Sequence, residues 1–261
     1  MDNQPQIELP QAEVDENTQS FLRLLIDERS IKYITIDPGI YSDEDMCFGP
    51  GLSTVLPKFP PGDWNDGLVS KSPDSGQPYF ASCSNTEFPG VENTWHEIFV
   101  DYMQLSIGRK LRTGIYEATC QSFSDTIVIK FARFEWELQY LENETTAYQW
   151  ISGHDIGPRF LGHLTKNGRV IGFLMEAISN PHHATVDDLE ACQDVLSRLH
   201  KLGIQHGDTN RFNFLVHDSG ATLIDFDTSQ RCDDQELLVN EFEGLSTRLN
   251  DSSGRGGGGL L

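Results

Sequence analysis

The stretch HGDTNRFNFLVHDSGATLIDFD, residues 206–227, decides how this chain is read. It carries Asp208, then Asn213 five positions on, then Asp225 twelve further. FNFLV and ATLIDF read as short strands on either side of HDSG, so each of the three sits where a strand starts or ends. Asp and Asn favour loops in any case; the spacing and the chemistry of the set give it meaning. One carboxylate can orient an attacking hydroxyl and accept its proton. A carboxamide and a second carboxylate offer the hard oxygens that magnesium takes alongside water. Transfer of a phosphoryl group from ATP to a hydroxyl asks for this combination.

Upstream, DTIVIKFA (125–132) reads as a buried strand. A lysine among β-branched apolar residues, here Lys130, has a stem to bury and a charge that needs a partner. The helix predicted over 134–152 offers Glu135, Glu137, Glu142 and Glu144. A Lys–Glu pair touching the phosphates of ATP is an arrangement of kinase folds. YMQLSIG and IYEATC read as strands flanking RKLRTG. RFLGHLT (159–165) and RVIGFLMEAI (169–178) read as two more around Asn167-Gly168. Residues 185–202 form an amphipathic helix with Thr185 as N-cap and Gly203 at its end, and 233–249 a last helix.

Taken together, these motifs resemble the protein-kinase-like superfamily, nearest its aminoglycoside phosphotransferase or choline-kinase branch, in which HGD replaces HRD and is followed by NFLV and LIDFD. ETTAYQWI, GPRFLGHL, GRVIGFLMEAI and LHKLGIQHGDTNRFNFLV are similar in wording to fungal kinase-like proteins. The resemblance spans roughly 105–245. It implies an α+β, two-lobed fold: a small β-rich N-lobe and hinge over 101–178 and a short helical C-lobe over 179–250. It implies ATP and Mg2+ as cofactors and a hydroxyl-bearing acceptor. Position by position, Lys130 would bind the phosphates and Glu144 would pair with it, Glu142 and Glu137 being the alternatives. Gly114 would mark the phosphate-covering loop. Met175 would line the adenine pocket, and Glu176 to Ile178 would supply hinge backbone groups. Asp208 would be the catalytic carboxylate, Asn213 and Asp225 the metal ligands, and His206 a structural member of the catalytic loop.

The chain departs from the pattern in several places. RKLRTGIYE has Gly108 and Gly114 but no GxGxxG. Gly207 stands where HRD has arginine, so an activation loop read by a phosphate–arginine contact is not expected. Asp227 replaces the last glycine of DFG, no APE follows, and only 34 residues come after Asp227. Arg211 is a stand-in candidate for a phosphate contact. The short end of the chain favours a small molecule over a protein as acceptor.

The 261 residues include 40 acids and 19 Lys or Arg, a net charge of −21, with 38% hydrophobic residues, which is a globular balance. That charge argues against nucleic acid and anionic membranes as partners and for a cationic acceptor. Five cysteines, an odd number without CxxC, argue against a disulfide framework or a zinc site. The start, MDNQPQIELPQAEVDEN, lacks the apolar core of a signal peptide. The expected compartment is reducing: the cytoplasm in the simplest reading, with the nucleus also compatible.

Residues 1–15 read as disordered. Residues 16–29 read as a helix carrying Phe21, Leu22, Leu24, Leu25 and Ile26, and 31–36 as a strand. Residues 37–94 read as a long loop anchored by aromatic side chains such as Trp64 and Tyr79. Residues 16–100 are thus an extension expected to pack on the N-lobe, and 251–261 a flexible Gly-rich tail. The expected function is ATP- and Mg2+-dependent phosphotransfer to a hydroxyl of a small cationic molecule. The alternatives are an atypical protein kinase and a pseudokinase scaffold that holds a protein partner through residues 1–100.

Overall fold

In a computed structural model, which describes residues 6–254 and 256, the apolar run at 21–26 is a strand rather than a helix. The chain forms two units, one up to Phe88 and one from Pro89. In the first, β1 (Ile7–Glu13), β2 (Ser20–Ile26), β3 (Ser30–Ile36), β4 (Asp66–Lys71) and β5 (Pro78–Ser84) form a sheet in that order. Only β3 and β4 run parallel. A parallel pair needs a crossover, and this one carries helices α1 (Asp43–Cys47) and α2 (Gly49–Val55).

Three expectations are corrected here. The helix expected over 16–29 gives way to β2 because β1 and β3 pair with it on both sides. Leu22, Arg23 and Leu24 are all fully buried, so both faces are covered. A strand covered on both faces reads as an unbroken apolar run, which periodicity cannot separate from a buried helix. The disorder expected over 1–15 is replaced by β1 from Ile7 onward, and residues 1–5 lie outside the described residues. The loop expected over 37–94 contains α1, α2, β4 and β5. Trp64 is buried there against Phe59 and Phe80, whereas Tyr79 is exposed.

In the second unit, β6 (Phe99–Asp101), β7 (Ser106–Arg112), β8 (Ile115–Cys120), β9 (Phe123–Phe131), β10 (Phe160–Lys166) and β11 (Arg169–Glu176) form a sheet of order β6-β10-β11-β9-β8-β7. The segment RKLR, expected as a link, belongs to β7, and Tyr102–Gln104 is a 3-10 turn. Ile127, Ile129 and Phe131 of β9 are buried on one face. By the two-residue period Val128 and Lys130 point to the other. Helix α3 (Leu138–Ile151) packs Leu141, Ala147, Tyr148 and Ile151 into a core with Phe173 and Met175 of β11. The β10–β11 turn places Asn167 and Gly168 at φ 52° and 79°, the left-handed conformation that an Asn-Gly hairpin requires.

Beyond β11 come β12 (His182–His183), α4 (Leu189–Lys201), β13 (Ile204–Gln205), β14 (Phe214–His217), β15 (Gly220–Leu223), β16 (Gln230–Arg231), α5 (Gln235–Glu243) and α6 (Leu245–Leu249). This region is mixed: β12, β14 and β15 form one small sheet and β13 and β16 another. The strands expected at FNFLV and ATLIDF are β14 and β15, and β12, β13 and β16 add short pairings to the region expected as a short helical lobe over 179–250. The single helix expected over 233–249 breaks at Gly244 into α5 and α6. Thr185 caps a 3-10 turn, Val186–Asp188, with Asp188 Oδ2 accepting from its backbone N–H at 2.9 Å, and α4 itself starts at Leu189 and ends before Gly203 at φ 65°. Val195, Leu196, Leu199, Phe214, Leu223, Phe226 and Leu245 join the same core as Tyr148 and Phe173. Of the tail, residues 255 and 257–261 lie outside the described residues. No helix among the described residues is long and apolar enough to cross a membrane.

Candidate functional site

β9 and α3 bring Lys130 and Glu144 together. Lys130 Nζ lies 2.5 Å from Glu144 Oε2 and 2.5 Å from Asp225 Oδ1. Glu144 is thus the helix acid beside Lys130, whereas Glu142 and Glu137 are engaged elsewhere. Glu142 accepts from the backbone N–H groups of Glu92 and Asn93, and Glu137 pairs with Arg133 at 2.5 Å. Burial would by itself lower the Lys130 ammonium, but Glu144 and Asp225 more than offset it, so the ammonium is held charged. Burial pushes the Glu144 carboxyl up to about 7, against the pull of Lys130. For Asp225 burial pulls upward, but Lys130 and then Arg112 hold its carboxyl below the ordinary range.

The segment 206–227 is tied together by its own polar groups. His206 is fully buried. Its Nε2 donates to the Ile224 carbonyl at 3.1 Å, and its Nδ1 accepts from the Asp208 N–H at 3.3 Å. The ring therefore fixes Asp208 relative to the chain just before Asp225. Burial holds the imidazole below its usual pKa, in keeping with an uncharged ring. Asn213, also fully buried, donates from Nδ2 to the Asp208 carbonyl at 2.9 Å and to Asp208 Oδ2 at 3.2 Å. Its carbonyl accepts from the Ile224 N–H at 3.0 Å. Asp208 itself is exposed. Gly207 has φ 87°, and a Cβ there would meet the Thr228 carbonyl at 2.8 Å. That is the steric reason glycine stands at this place.

A cavity of 570 Å³ opens beside this cluster, within the size range of small-molecule sites. Val128, Met175, Ile178 and Leu215 give it an apolar wall, and Lys130, Glu144, Glu176 and Asp225 also line it. Lys130, Glu144, Met175, Glu176, Ile178 and Asp225 are thus brought to one place. Asp208 and Asn213 are not among its lining residues; Asn213 is joined to one of them, Ile224, through the Ile224 N–H bond. Gly114 is also outside the lining: it forms the β7–β8 turn at φ 72°, and its carbonyl accepts from the Phe131 N–H at 3.0 Å. The wall on that side consists of Arg109, Lys110, Leu111, Arg112, Ile115 and Glu117.

Among the described residues Asn213 Oδ1 is buried without a hydrogen-bond partner. An orphaned carboxamide oxygen is costly unless something occupies it. It and the Asp225 carboxylate are hard oxygen donors, the ligand type that suits magnesium. Asn213 and Asp225 therefore fit the ion that phosphoryl transfer requires.

Two contributors carry no clear mark in the sequence. Glu241 of α5, buried, accepts from the Gly207 N–H at 2.7 Å, the His206 N–H at 3.1 Å and His200 Nε2 at 2.7 Å. Asn143 Nδ2 donates to the carbonyls of Asp227 at 2.5 Å and Ser229 at 3.1 Å. Both look like ordinary polar residues of a solvated helix face until the chain they hold is placed beside them.

Residues 176–253 match the family model of the lipopolysaccharide kinase (Kdo/WaaP) family. The match takes in Asp208, Asn213, Asp225 and Glu241 but leaves out Lys130 and Glu144, and it covers under a third of the chain. The similarity over this stretch is to a kinase family, a coarser reading than the aminoglycoside phosphotransferase or choline-kinase branch that HGD and LIDFD resemble. A search of curated proteins finds no match.

Proposed function

We propose that this chain is an ATP- and Mg2+-dependent phosphotransferase acting on a hydroxyl of a small molecule. The observation that carries the reading is Lys130 held between Glu144 and Asp225 at 2.5 Å from each, beside a cavity with an apolar wall. In this reading the β6–β11 sheet with α3 forms the nucleotide-binding lobe, and the region from β12 to α6 forms the lobe on the acceptor side. Met175 and Ile178 receive the base. Lys130, kept charged by its two carboxylates, binds phosphate oxygens, and Glu144 fixes its direction. Asp208 orients the acceptor hydroxyl and takes its proton as the oxygen attacks. Asn213 and Asp225 hold Mg2+, which when bound neutralises charge on the phosphate oxygens. The family name attached to residues 176–253 supports a glycan or other small-molecule hydroxyl, and the net charge of −21 favours a cationic acceptor over an anionic one.

The test is phosphate transfer from Mg·ATP to a panel of amino-sugars, choline-like alcohols and glycans, with wild type and Asp208→Asn compared. Loss of a general base costs about 10²–10⁴ in rate, with Mg·ATP affinity retained because Asp208 does not line the cavity. Full activity in Asp208→Asn would remove the role given to Asp208. A wild-type protein that shows no thermal stabilisation by Mg·ATP overturns the reading as a whole.

A further inference from the structure

We propose that Arg112 binds the nucleotide phosphates through its side chain, replacing the backbone N–H groups that a glycine-rich loop would supply; this rests on the phosphotransferase reading above. No glycine lines the cavity among the described residues. Gly108 lies within β7, where a Cβ would meet the Glu117 carbonyl at 3.2 Å, and Gly114 is spent on the turn. The wall where such a loop would lie is instead a run of cationic side chains from β7.

These cations are not equivalent. Arg109 is largely exposed and committed to Glu117 at 2.5 Å. Arg112 is buried, 8% exposed, and lines the cavity with Lys130. Among the described residues no carboxylate lies within ion-pair distance of it. Its one hydrogen bond runs from Nη2 to the Phe212 carbonyl at 2.8 Å, on the loop between Asp208 and Asn213. A guanidinium has five donors, and Arg112 uses one of them to fix its plane against that loop. The rest have no protein acceptor among the described residues, and the Asp225 carboxylate, whose charge favours the guanidinium, is already bound by Lys130. A multiply charged anion in the cavity resolves the shortage, because the fork of a guanidinium matches phosphate oxygens two at a time. Arg112 lines the same cavity as Asp225, the carboxylate that Lys130 also touches, and helps to hold that carboxyl low. A nucleotide whose base lies on the Met175 wall then carries its phosphates toward both cations.

The competing role is that of a strut joining β7 to the loop through Phe212. Calorimetric titration of the full chain with Mg·ATP and, separately, adenosine distinguishes the two. If Arg112 binds phosphate, Arg112→Gln weakens Mg·ATP by about 10- to 100-fold. Adenosine, which has no phosphate, changes less than about twofold, and Arg112→Lys falls between wild type and Arg112→Gln for Mg·ATP. Parallel loss of both ligands identifies a strut and overturns the proposal, as does unchanged Mg·ATP affinity. If Arg112→Gln does not fold, Arg112→Lys carries the comparison. Failure of the wild-type protein to bind Mg·ATP, a result that needs no variant, overturns the phosphotransferase reading and this assignment with it.

Discussion

Glu241→Gln tests whether a side chain 33 positions after Asp208 sets the geometry of the loop that bears it. One carboxylate oxygen accepts from the Gly207 N–H, and the other accepts from the His206 N–H and His200 Nε2. An amide of the same shape keeps one acceptor oxygen and turns an NH2 toward donors on the other side. At least one charge-assisted bond becomes a donor–donor contact, and such bonds contribute about 1.5–3 kcal/mol each. With Glu241 only 3% exposed, little water enters to compensate, so a loss of about 2–4 kcal/mol is expected. For a unit of this size that is a fall in Tm of roughly 5–15 °C. The loss has a pH signature. Burial raises the Glu241 carboxyl, but the bonds from His200, Gly207 and His206 outweigh it and hold it below its ordinary 4.5. A depressed carboxyl contributes stability that is complete above the unfolded value and is lost as pH falls through the folded one. The gap between wild type and Glu241→Gln is therefore full at neutral pH and narrows below about 4.5. Thermal melts from pH 3 to 8, with amide hydrogen exchange read at His206 and Gly207, measure both effects; Glu236→Gln, on the exposed part of the same helix, is the control. Unchanged melting and unchanged protection of those two amides would refute the reasoning.

Three further outcomes follow from the geometry. Lys130→Met strands the Glu144 carboxylate, which is 1% exposed, at an expected cost of about 3–5 kcal/mol. Adding Glu144→Leu should recover most of it, and a double-mutant cycle in urea that shows simple additivity would count against the pair. His163 is fully buried, its Nε2 accepts from the His96 N–H at 3.1 Å, and burial followed by His96 pushes its pKa down to about 4 from 6.5. A depressed histidine contributes stability that is complete above 6.5 and lost as pH falls toward about 4, here by up to about 3 kcal/mol. Denaturation at pH 7.5 and 4.5 should therefore show a smaller acid-induced loss in His163→Gln than in wild type; equal losses would exclude His163 as the source. A Cβ on Gly172 would lie 2.1 Å from the Lys130 carbonyl and 2.6 Å from Phe131 Cα, across the β11–β9 pairing. Gly172→Ala is accordingly expected to cost several kcal/mol and to abolish Mg·ATP binding by shifting the strand that carries Lys130, whereas a wild-type melting curve would show that the strands separate freely there.

What could be read from the sequence follows from where each cause resides. The segment from His206 to Asp227 makes part of its polar bonding within itself, Asn213 to Asp208 and His206 to Ile224. Its chemistry and much of its geometry are therefore local and legible. The pairing of Lys130 with Glu144 was open among several helix acids because composition does not say which helix face meets the sheet. The structure decides it by giving Glu142 to the backbone at Glu92 and Asn93 and Glu137 to Arg133. The run FLRLLI is ambiguous for the same reason: whether it coils or pairs depends on strands β1 and β3 lying on both sides of it, not on its own pattern. Arg112 and Glu241 were illegible more completely. Each is one charge among many on a polar stretch, and each acquires a role only when a backbone group distant in sequence, Phe212 O for one and Gly207 N–H for the other, arrives within 2.8 Å. The residues that hold the motif segment in place are thus the ones least marked in the sequence, because a carboxylate or a guanidinium that binds backbone has no fixed spacing from the chain it serves. That is why the tests with most power to discriminate are substitutions at Arg112 and Glu241 rather than at the motif residues.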